Sequence, residues 1–349
     1  MQLTTRPVLQ NARSTFKPSD IHVVIPYSNH LRHQSRYHLV LEAVEHLLNA
    51  GVTLYVVELA HGDRQHILQL PSEVTHIKVR ATDIMWHKEN QINIGMRTAI
   101  ANGARYLAWV DGDVQFTDPF WPTHTIEALQ THAIVQPWKD AVDLDHRRNL
   151  IVDERGRFST ESFCSVWLSQ LASGQGYSLP FEKTDDPSVD YDAKAFDRKF
   201  GHPGYAWACT TDAYLAFDGL VDWAIIGSAD TIMAFGFAGL LTEILERGGY
   251  WWTQDTYRPK IEMFQALCDR VIKRNIGFVT GTLLHGWHGP KAKRGYVTRP
   301  RILQASKFDP DLDLFMTPSG LYKFARDNYV LRDCLRHYMQ SRDEDQLAN

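Results

Sequence analysis

Two aspartates separated by one glycine, Asp111 and Asp113, close an apolar run, Tyr106-Leu-Ala-Trp-Val110. Their carboxylates repel each other unless a cation sits between them. Hard divalent ions such as Mg2+ and Mn2+ take oxygen ligands, often one or two carboxylates plus phosphate oxygens. Gly112 removes side-chain bulk, so a phosphate could approach the backbone there. A bare Asp-Gly-Asp is also an ordinary solvated turn, and its context decides between the two. Downstream, His285-Gly-Trp-His288 puts two imidazoles into a glycine-rich loop, just before a basic run with Lys291, Lys293, Arg294, Arg299 and Arg301. A single loop histidine is most often a hydrogen-bonding residue; two beside a basic run suit a metal next to a phosphate. Asp230 precedes an apolar stretch, as a general base or a helix N-cap would.

The surrounding pattern supplies elements to hold these groups. Ile21–Pro26 reads as a β-branched strand, Tyr37–Leu48 as a helix closed by Gly51, and Val52–Glu58 as a second strand. Val74–Val79 reads as a third strand, Asn90–Asn102 as a helix, and Tyr106–Val110 as a short buried strand. Strands alternating with helices predict a parallel sheet covered on both faces. Ligands bind such sheets beyond the C-terminal strand ends, where Glu58, Asp111 and Asp113 fall. Further on, Phe163–Leu171 reads as a short helix or strand. Ala224–Leu241 reads as one buried helix, Gly320–Tyr338 as an amphipathic helix, and Gln340–Asn349 as a polar tail. Trp251 and Trp252 read as core residues ahead of a sugar platform.

The chain resembles the GT-A glycosyltransferases, which use nucleotide sugars and carry an Asp-x-Asp motif. The matching residues are Val23-Val-Ile-Pro26, the strand ending at Glu58, Asn93-Ile-Gly95 with Ala99, and Asp111-Gly-Asp113. Further matches are Gly204-Tyr-Ala-Trp-Ala-Cys-Thr-Thr211, Asp222-Trp-Ala-Ile-Ile-Gly-Ser-Ala-Asp230 and His285-Gly-Trp-His-Gly289. The resemblance implies an α/β, Rossmann-like GT-A domain over residues 1–300, with a mostly parallel sheet flanked by helices. It implies an acceptor-side insertion at 140–202, rich in charge (Asp143, Asp145, Arg147, Arg148, Asp185-Asp-Pro-Ser188, Asp190), and a C-terminal helical extension and tail at 301–349. It implies Mn2+ or Mg2+ held by Asp113 and His288, with His285 as a further candidate ligand and Asp111 supporting the nucleotide ribose or the metal, and a nucleotide-sugar donor, UDP-sugar in preference. Pro26, Tyr27 and Ser28 would line the base pocket. Glu58 would touch base or ribose or be an ordinary strand-end acid, Lys88 would approach the nucleotide or face solvent, and Arg294 and Arg299 would clamp the donor diphosphate or meet an acceptor phosphate. Trp207 and Asp222 would border the acceptor. Asp230 would be the catalytic base, standing in Ala229-Asp230 where the family shows a Glu-Asp pair.

A narrower likeness covers the C-terminal third. His285-Gly-Trp-His-Gly-Pro-Lys-Ala-Lys-Arg294, Tyr296, Arg299, Ile302-Leu303 and Phe308-Asp-Pro-Asp-Leu-Asp313 are similar to phage-type glycosyltransferases. These accompany DNA-modifying enzymes, including oxygenases of the ten-eleven-translocation type. That likeness implies 5-hydroxymethylcytosine in DNA as the acceptor. Acceptors that are glycans, peptides or small molecules are the alternative. A nucleotidyltransferase would normally carry a Gly-rich loop after its first strand, where this chain has Tyr27-Ser-Asn-His30. A noncatalytic carbohydrate-binding protein would not need Asp111, Asp113, Asp230 and His288 together.

At 349 residues and 44% hydrophobic content the chain is long enough for a large core. The net charge of −4 counts against a strongly nucleic-acid-coated surface, although a local patch suffices to bind phosphates. No apolar stretch reaches the ~18 residues of a membrane span, and Met1–Arg6 lacks a signal-peptide core. Cys164, Cys209, Cys268 and Cys334 show no paired spacing. A cytoplasmic enzyme, in the host cytoplasm if phage-encoded, is the location these features imply.

Overall fold

The computed structural model describes residues 15–153, 156–174, 200–247, 255–296 and 298–347. Trp251, Trp252 and the acidic stretch 185–190 lie outside them. In chain order the elements begin β1 (Ile21–Ser28), α1 (Gln34–Asn49), β2 (Thr53–His61), β3 (Thr75–Ala81), α2 (Lys88–Ala101) and β4 (Tyr106–Val110). There follow β5 (Val114–Phe116), α3 (Trp121–Ala128), β6 (Ile134–Gln136), β7 (Asp140–Asp143), β8 (Thr160–Glu161), α4 (Phe163–Ala172) and β9 (Ala206–Thr210). Then come α5 (Thr211–Ala216), α6 (Ala229–Phe237), α7 (Leu241–Arg247), α8 (Arg258–Val271), β10 (Ile276–Phe278) and β11 (Thr282–His285). The chain closes with α9 (Pro300–Ala305), α10 (Pro310–Asp313), β12 (Leu314–Met316), β13 (Tyr322–Phe324) and α11 (Tyr329–Ser341).

The α/β expectation holds: a seven-stranded sheet runs in the order β10-β6-β9-β4-β1-β2-β3. Its neighbours are parallel except around β9, which is antiparallel to β4 and β6. Helices cover both faces, so the central strands are apolar without alternation; all five residues of β4 are buried. Along β1, Val24 joins the core with Val57, Leu107 and Ile92, while Val23 and Ile25 join Val40, Val44 and Leu47 of α1 on the other face. Cys164, Cys209 and Cys268 are free thiols buried in this interior. Among the described residues no helix is long and apolar enough to cross a membrane.

A second sheet, β5-β11-β7-β8, is set against the C-terminal edge of β4. In it β11 pairs antiparallel with β5 and parallel with β7, so that His285 stands opposite both Val114 and Asp143.

Of three further elements, the first takes one of its two expected forms and the other two come out differently. Phe163–Ala172 is a helix, with Ser162 accepting from Ser165 N at its N-cap. Ala224–Leu241 is not one helix. Gly227 and Ser228 both take positive φ, at 87° and 69°, which no helix tolerates, so α6 starts at Ala229. Gly239, with φ 72°, ends that segment before α7. Gly320–Tyr338 is likewise split. Tyr322–Phe324 pairs with Leu314–Met316, and the helix begins at Tyr329, where Asn328 accepts from Leu331 N. Leu303, Phe308, Leu331 and Leu335 of the C-terminal segment belong to the same core as α6 and α8.

Helix α2 lies on β1 and β2 at a separation only glycine permits. A Cβ on Gly95 would overlap Val24 Cγ1 and stand 3.1 Å from Val57 Cγ2. In an exposed helix Gly→Ala stabilises by about 1 kcal/mol. Here Gly95→Ala should instead destabilise by roughly 1–3 kcal/mol, the usual range for overpacking. Urea unfolding measures this, and an upward shift of the midpoint would show that the contact is not tight.

Candidate active site

The second sheet assembles a three-ligand cluster. Asp113 lies between β4 and β5, and β11 brings His285 to the same level. Gly286 N donates to Asp113 O at 2.8 Å. A side chain at Gly286 would overlap Leu39, so this approach needs glycine. His288 follows one turn of loop later. His288 Nε2 lies 3.2 Å and His285 Nε2 3.9 Å from Asp113 Oδ2, and the two Nε2 atoms are 3.3 Å apart. Ligands about 2.1 Å from one ion, at 90–110° to each other, lie roughly 3.0–3.4 Å apart. The three atoms therefore fit one face of a coordination shell after a small adjustment of His285. Among the described residues this is the one group of three such side chains whose ligand atoms lie within 4.8 Å of one another.

The electrostatics fit a cation. Asp113 Oδ1 is buried and has no hydrogen-bond partner. Burial works against the Asp113 carboxylate, but His288, His285, Arg36 and Arg294 hold its pKa below the ordinary value. Burial, helped by Arg294, lowers His288 to about 3, so its imidazole is neutral and able to ligate. His285 Nδ1 lies 2.6 Å from Asp143 Oδ1, which leaves Nε2 for the metal side. Lys291 closes the same carboxylate at 2.5 Å. Burial would raise Asp143; the hydrogen bond to His285 and the charge of Lys291 hold it well below the carboxylate range. By donor set alone, two imidazoles and a carboxylate also suit Fe(II) or Zn2+.

Asp111 takes another partner. Lys88, at the start of α2, reaches its Oδ1 at 2.5 Å. Burial pushes the Asp111 carboxyl up against the pull of this ammonium. Burial would lower Lys88, but Asp111, Glu89 and Asp230 hold it above its ordinary value. Asp111 N donates to Tyr205 O at 2.8 Å. Tyr205 has φ 72°, its ring stacks on His202 at 4.0 Å, and it stands 4.9 Å from His285. Such non-glycine strain collects at functional sites.

These groups open onto a cleft of about 1880 Å³. One wall is cationic: Arg36, Arg294, Arg299 and Arg342 all line it. Glu344 sits among them, paired with Arg36 and, at 2.9 Å, with Arg342. The guanidiniums of Arg299 and Arg342 lie 5.9 and 5.2 Å from the Trp86 ring.

No protein-family model and no curated protein matches the chain. Among solved structures, the complex of glucosyl-3-phosphoglycerate synthase from Mycobacterium tuberculosis with Mn2+, UDP-glucose and phosphoglyceric acid is 11% identical, with a TM-score of 0.37. That match covers 87% of this chain and 86% of the other. The 4-diphosphocytidyl-2C-methyl-D-erythritol synthase of Anaerococcus prevotii DSM 20548 is 10% identical, with a TM-score of 0.30, over 76% and 90%. At such scores neither likeness bears on what this chain does.

Of the residues singled out in the sequence, Pro26, Ser28, Lys88, Asp111, Asp113, Asp230, His285, His288, Arg294 and Arg299 line the cleft. Asp230 lies in the first turn of α6 and is not its N-cap, a position Ser228 holds. Others stand apart. Asp111 is outside the ligand triad. Tyr27 is buried, its hydroxyl accepting from Asn29 Nδ2 at 3.0 Å. Glu58 is buried and committed to Ile67 N, Leu68 N and His76, because β2 runs three residues beyond it. Trp207 is a core residue of β9, its indole donating to Pro203 O at 2.7 Å. Asp222 is held by Asn93 Nδ2 at 3.1 Å, away from the cleft. Gly112 serves packing: a Cβ there would stand 3.3 Å from Val40 and 3.4 Å from Ile25. Sequence reasoning passed over Arg36, Arg342 and Glu344 and saw Asp143 only as part of a charged stretch. No local spacing marks them, since each is brought in by a long-range contact.

At the end of β1, the end of β2 and the start of α2, the buried imidazoles of His30, His61 and His87 also gather, with ring centroids 5.7 and 6.3 Å apart along the row. Burial lowers each to about 4. The folded protein thus keeps four histidines neutral, counting His288, where the unfolded chain protonates them below about 6.5. Their contribution is complete above pH 6.5 and is lost as the pH falls towards 4. Glu89, pushed up to about 8 by burial, works the other way, as do Asp111 and Asp222, while burial lowers His22 and His46 as well. Each pKa unit is worth about 1.4 kcal/mol, so unfolding free energy from urea titrations should drop by several kcal/mol between pH 7 and 4.5. A flat profile would show that these imidazoles are solvated.

Proposed function

We propose that this chain is a metal-dependent glycosyltransferase that moves a sugar from a nucleotide sugar, UDP-sugar in preference, to an acceptor hydroxyl. The observation that carries the reading is the juxtaposition of the Asp113–His285–His288 triad with a wall of four guanidiniums and one carboxylate. A neutral or apolar ligand would find that wall costly; a diphosphate fits it. Asp113, His285 and His288 would hold Mn2+ or Mg2+, which when bound supplies positive charge against the diphosphate. Arg294 and Arg299 are buried at 7% and 5% exposure and face this site, which suits them to orienting the donor. Lys88 holds Asp111 in place and adds a cation at the same strand end. Asp230, at the positive end of α6, would take the proton from the acceptor hydroxyl, and direct displacement would then invert the anomeric centre.

The acceptor we propose is 5-hydroxymethylcytosine in DNA, on the likeness of residues 285–313 to phage-type enzymes and on a cleft large enough for a base beside a donor. The basic run gives this reading limited help. Arg294 and Arg299 are buried, and Lys291 and Lys293 pair with Asp143 and Asp343. Contacts to a DNA backbone would therefore fall to Arg301 and neighbouring surface, and binding should weaken steeply with salt.

Incubation with a mixture of sugar nucleotides should give metal-dependent loss of donor, abolished by EDTA. Radiolabel in the sugar, not the nucleotide, should enter the product; the reverse would make the chain a nucleotidyltransferase. Strict dependence on oxygen would replace the reading with an Fe(II) enzyme. Asp230→Asn should lower kcat by about two to four orders of magnitude with donor affinity little changed. Near-normal kcat would remove Asp230 as the base. Hydroxymethylated DNA should be labelled ahead of plain DNA, glycans and peptides, and exclusive labelling of a glycan or peptide would refute the DNA acceptor alone.

A further inference from the structure

The metal centre has a component that the sheet does not supply. A ligating imidazole needs one nitrogen free for the ion and the other carrying a hydrogen held by an acceptor. Asp143 performs this for His285, at 2.6 Å from Nδ1. His288 turns Nε2 towards Asp113, and its Nδ1 is buried with no hydrogen-bond partner. The nearest carboxylate oxygen is Glu344 Oε2, at 3.7 Å. We infer that Glu344, in the C-terminal tail, is the positioning residue for His288, so that the tail completes the metal centre; this rests on the metal reading given above.

The tail is built to deliver that carboxylate. Asp345 accepts from Gln34 N and Ser35 N at 2.9 and 2.8 Å, at the first turn of α1. Ser35 Oγ donates to Glu344 O at 3.0 Å, and Trp287 Nε1, next to His288, donates to Gln346 O at 2.7 Å. Gly289, with φ 86°, allows the His288 loop and the tail to meet backbone to backbone. A Cβ there would lie 2.8 Å from Glu344 Cα. Arg36 Nη2 at 3.0 Å and Arg342 at 2.9 Å hold Glu344 Oε1. Arg36 Nε also reaches Oε2, the oxygen that faces His288. Residues 342–346, which read as a solvated tail, are thus docked on the two loops that flank the triad.

A purely structural Glu344, serving to neutralise Arg36 and Arg342, would show a different pattern of coupling. Mn2+ binding to the full chain, read from the free-ion signal in electron paramagnetic resonance, separates the two. Glu344→Gln should weaken Mn2+ about 10–100-fold, the usual effect of removing a ligand's hydrogen-bonding partner. The loss should be much smaller in a His288→Ala background, read at millimolar Mn2+, because no imidazole remains to be held. Asp143→Asn should retain its effect in that background and lose it in His285→Ala. An equal penalty from Glu344→Gln with and without His288, or no penalty, would overturn the inference. If Glu344→Gln does not fold, Glu344→Asp, which keeps the charge but shortens the reach, is read in the same cycle. Absence of Mn2+ binding by the unaltered chain, or binding insensitive to His285→Ala and Asp113→Asn, would instead overturn the metal reading itself.

Discussion

The register of one short strand decides whether this protein has a site. β11 is four residues long, and its pairing with β5 and β7 puts His285 level with Val114 and Asp143. A slip of one residue would turn His285 to the opposite face and replace it with Leu284 or Gly286. The main sheet alone could not make the cluster, because β4 ends at Val110 and only the turn to β5 carries Asp113 to the junction. The register is itself fixed by burial. Leu283, between Thr282 and Leu284, is fully buried with Val114, Phe116 and Ala141, and Gly286 admits Leu39 against the loop. Leu283 shares a face with His285, two residues on, so apolar packing around the leucine holds the histidine to that face.

Charge is arranged around this junction in a way that stability alone would not favour. Buried ions cost several kcal/mol each unless paired, and a well-packed apolar replacement is often no worse. Here Arg36 and Arg342 pair with the buried carboxylate of Glu344, while among the described residues Arg294 and Arg299 are met only by neutral acceptors, Tyr296, Gly289 O, Tyr338 and Ser228. The Nε atoms of Arg294, Arg299 and Arg342 are buried without partners. Crowding and burial leave Arg342 below its ordinary pKa. An excess of cations held out of water is what an anionic ligand relieves, and the cluster is best understood in its company.

The parts of this structure that were legible in the sequence are those encoded by short-range patterns. β1, β2, β4, α1 and α2 follow from apolar runs and 3.6-residue periodicity, and the Asp113, His285, His288 set from residue types at loop spacing. The failures have specific causes. Glu58 looked like a strand end because polarity begins there, yet β2 continues through Leu59 and Ala60, which are buried, to His61. Two consecutive positive φ values at Gly227 and Ser228 broke an apolar stretch that hydrophobicity alone would make one helix. Glu344 looked solvated because nothing nearby in sequence needs it; Arg36, its partner, is 308 residues away. Asp143 fell in a run of charges with the exposed Arg147 and Arg148, and only the pairing of β7 with β11 distinguishes it.

The Asp-Gly-Asp that first drew attention divides its labour in a way the tripeptide cannot show. The two carboxylates are only partly exposed and the charge of Asp113 raises Asp111, so both ionise readily only with separate partners. Asp113 faces His288 and His285 with the charges of Arg36 and Arg294 near it, and Asp111 is engaged by Lys88. Were both turned to one ion, Lys88 would be left as a half-buried ammonium beside Glu89, itself held protonated by burial at neutral pH. The lysine thus fixes which aspartate faces the metal side. It also leaves Asp111 at the cleft wall, two residues from Asp113 yet outside the triad. Gly112, tightly packed on Val40 and Ile25, keeps the backbone between them from shifting. The motif works because three surrounding contacts assign each acid to a different cation.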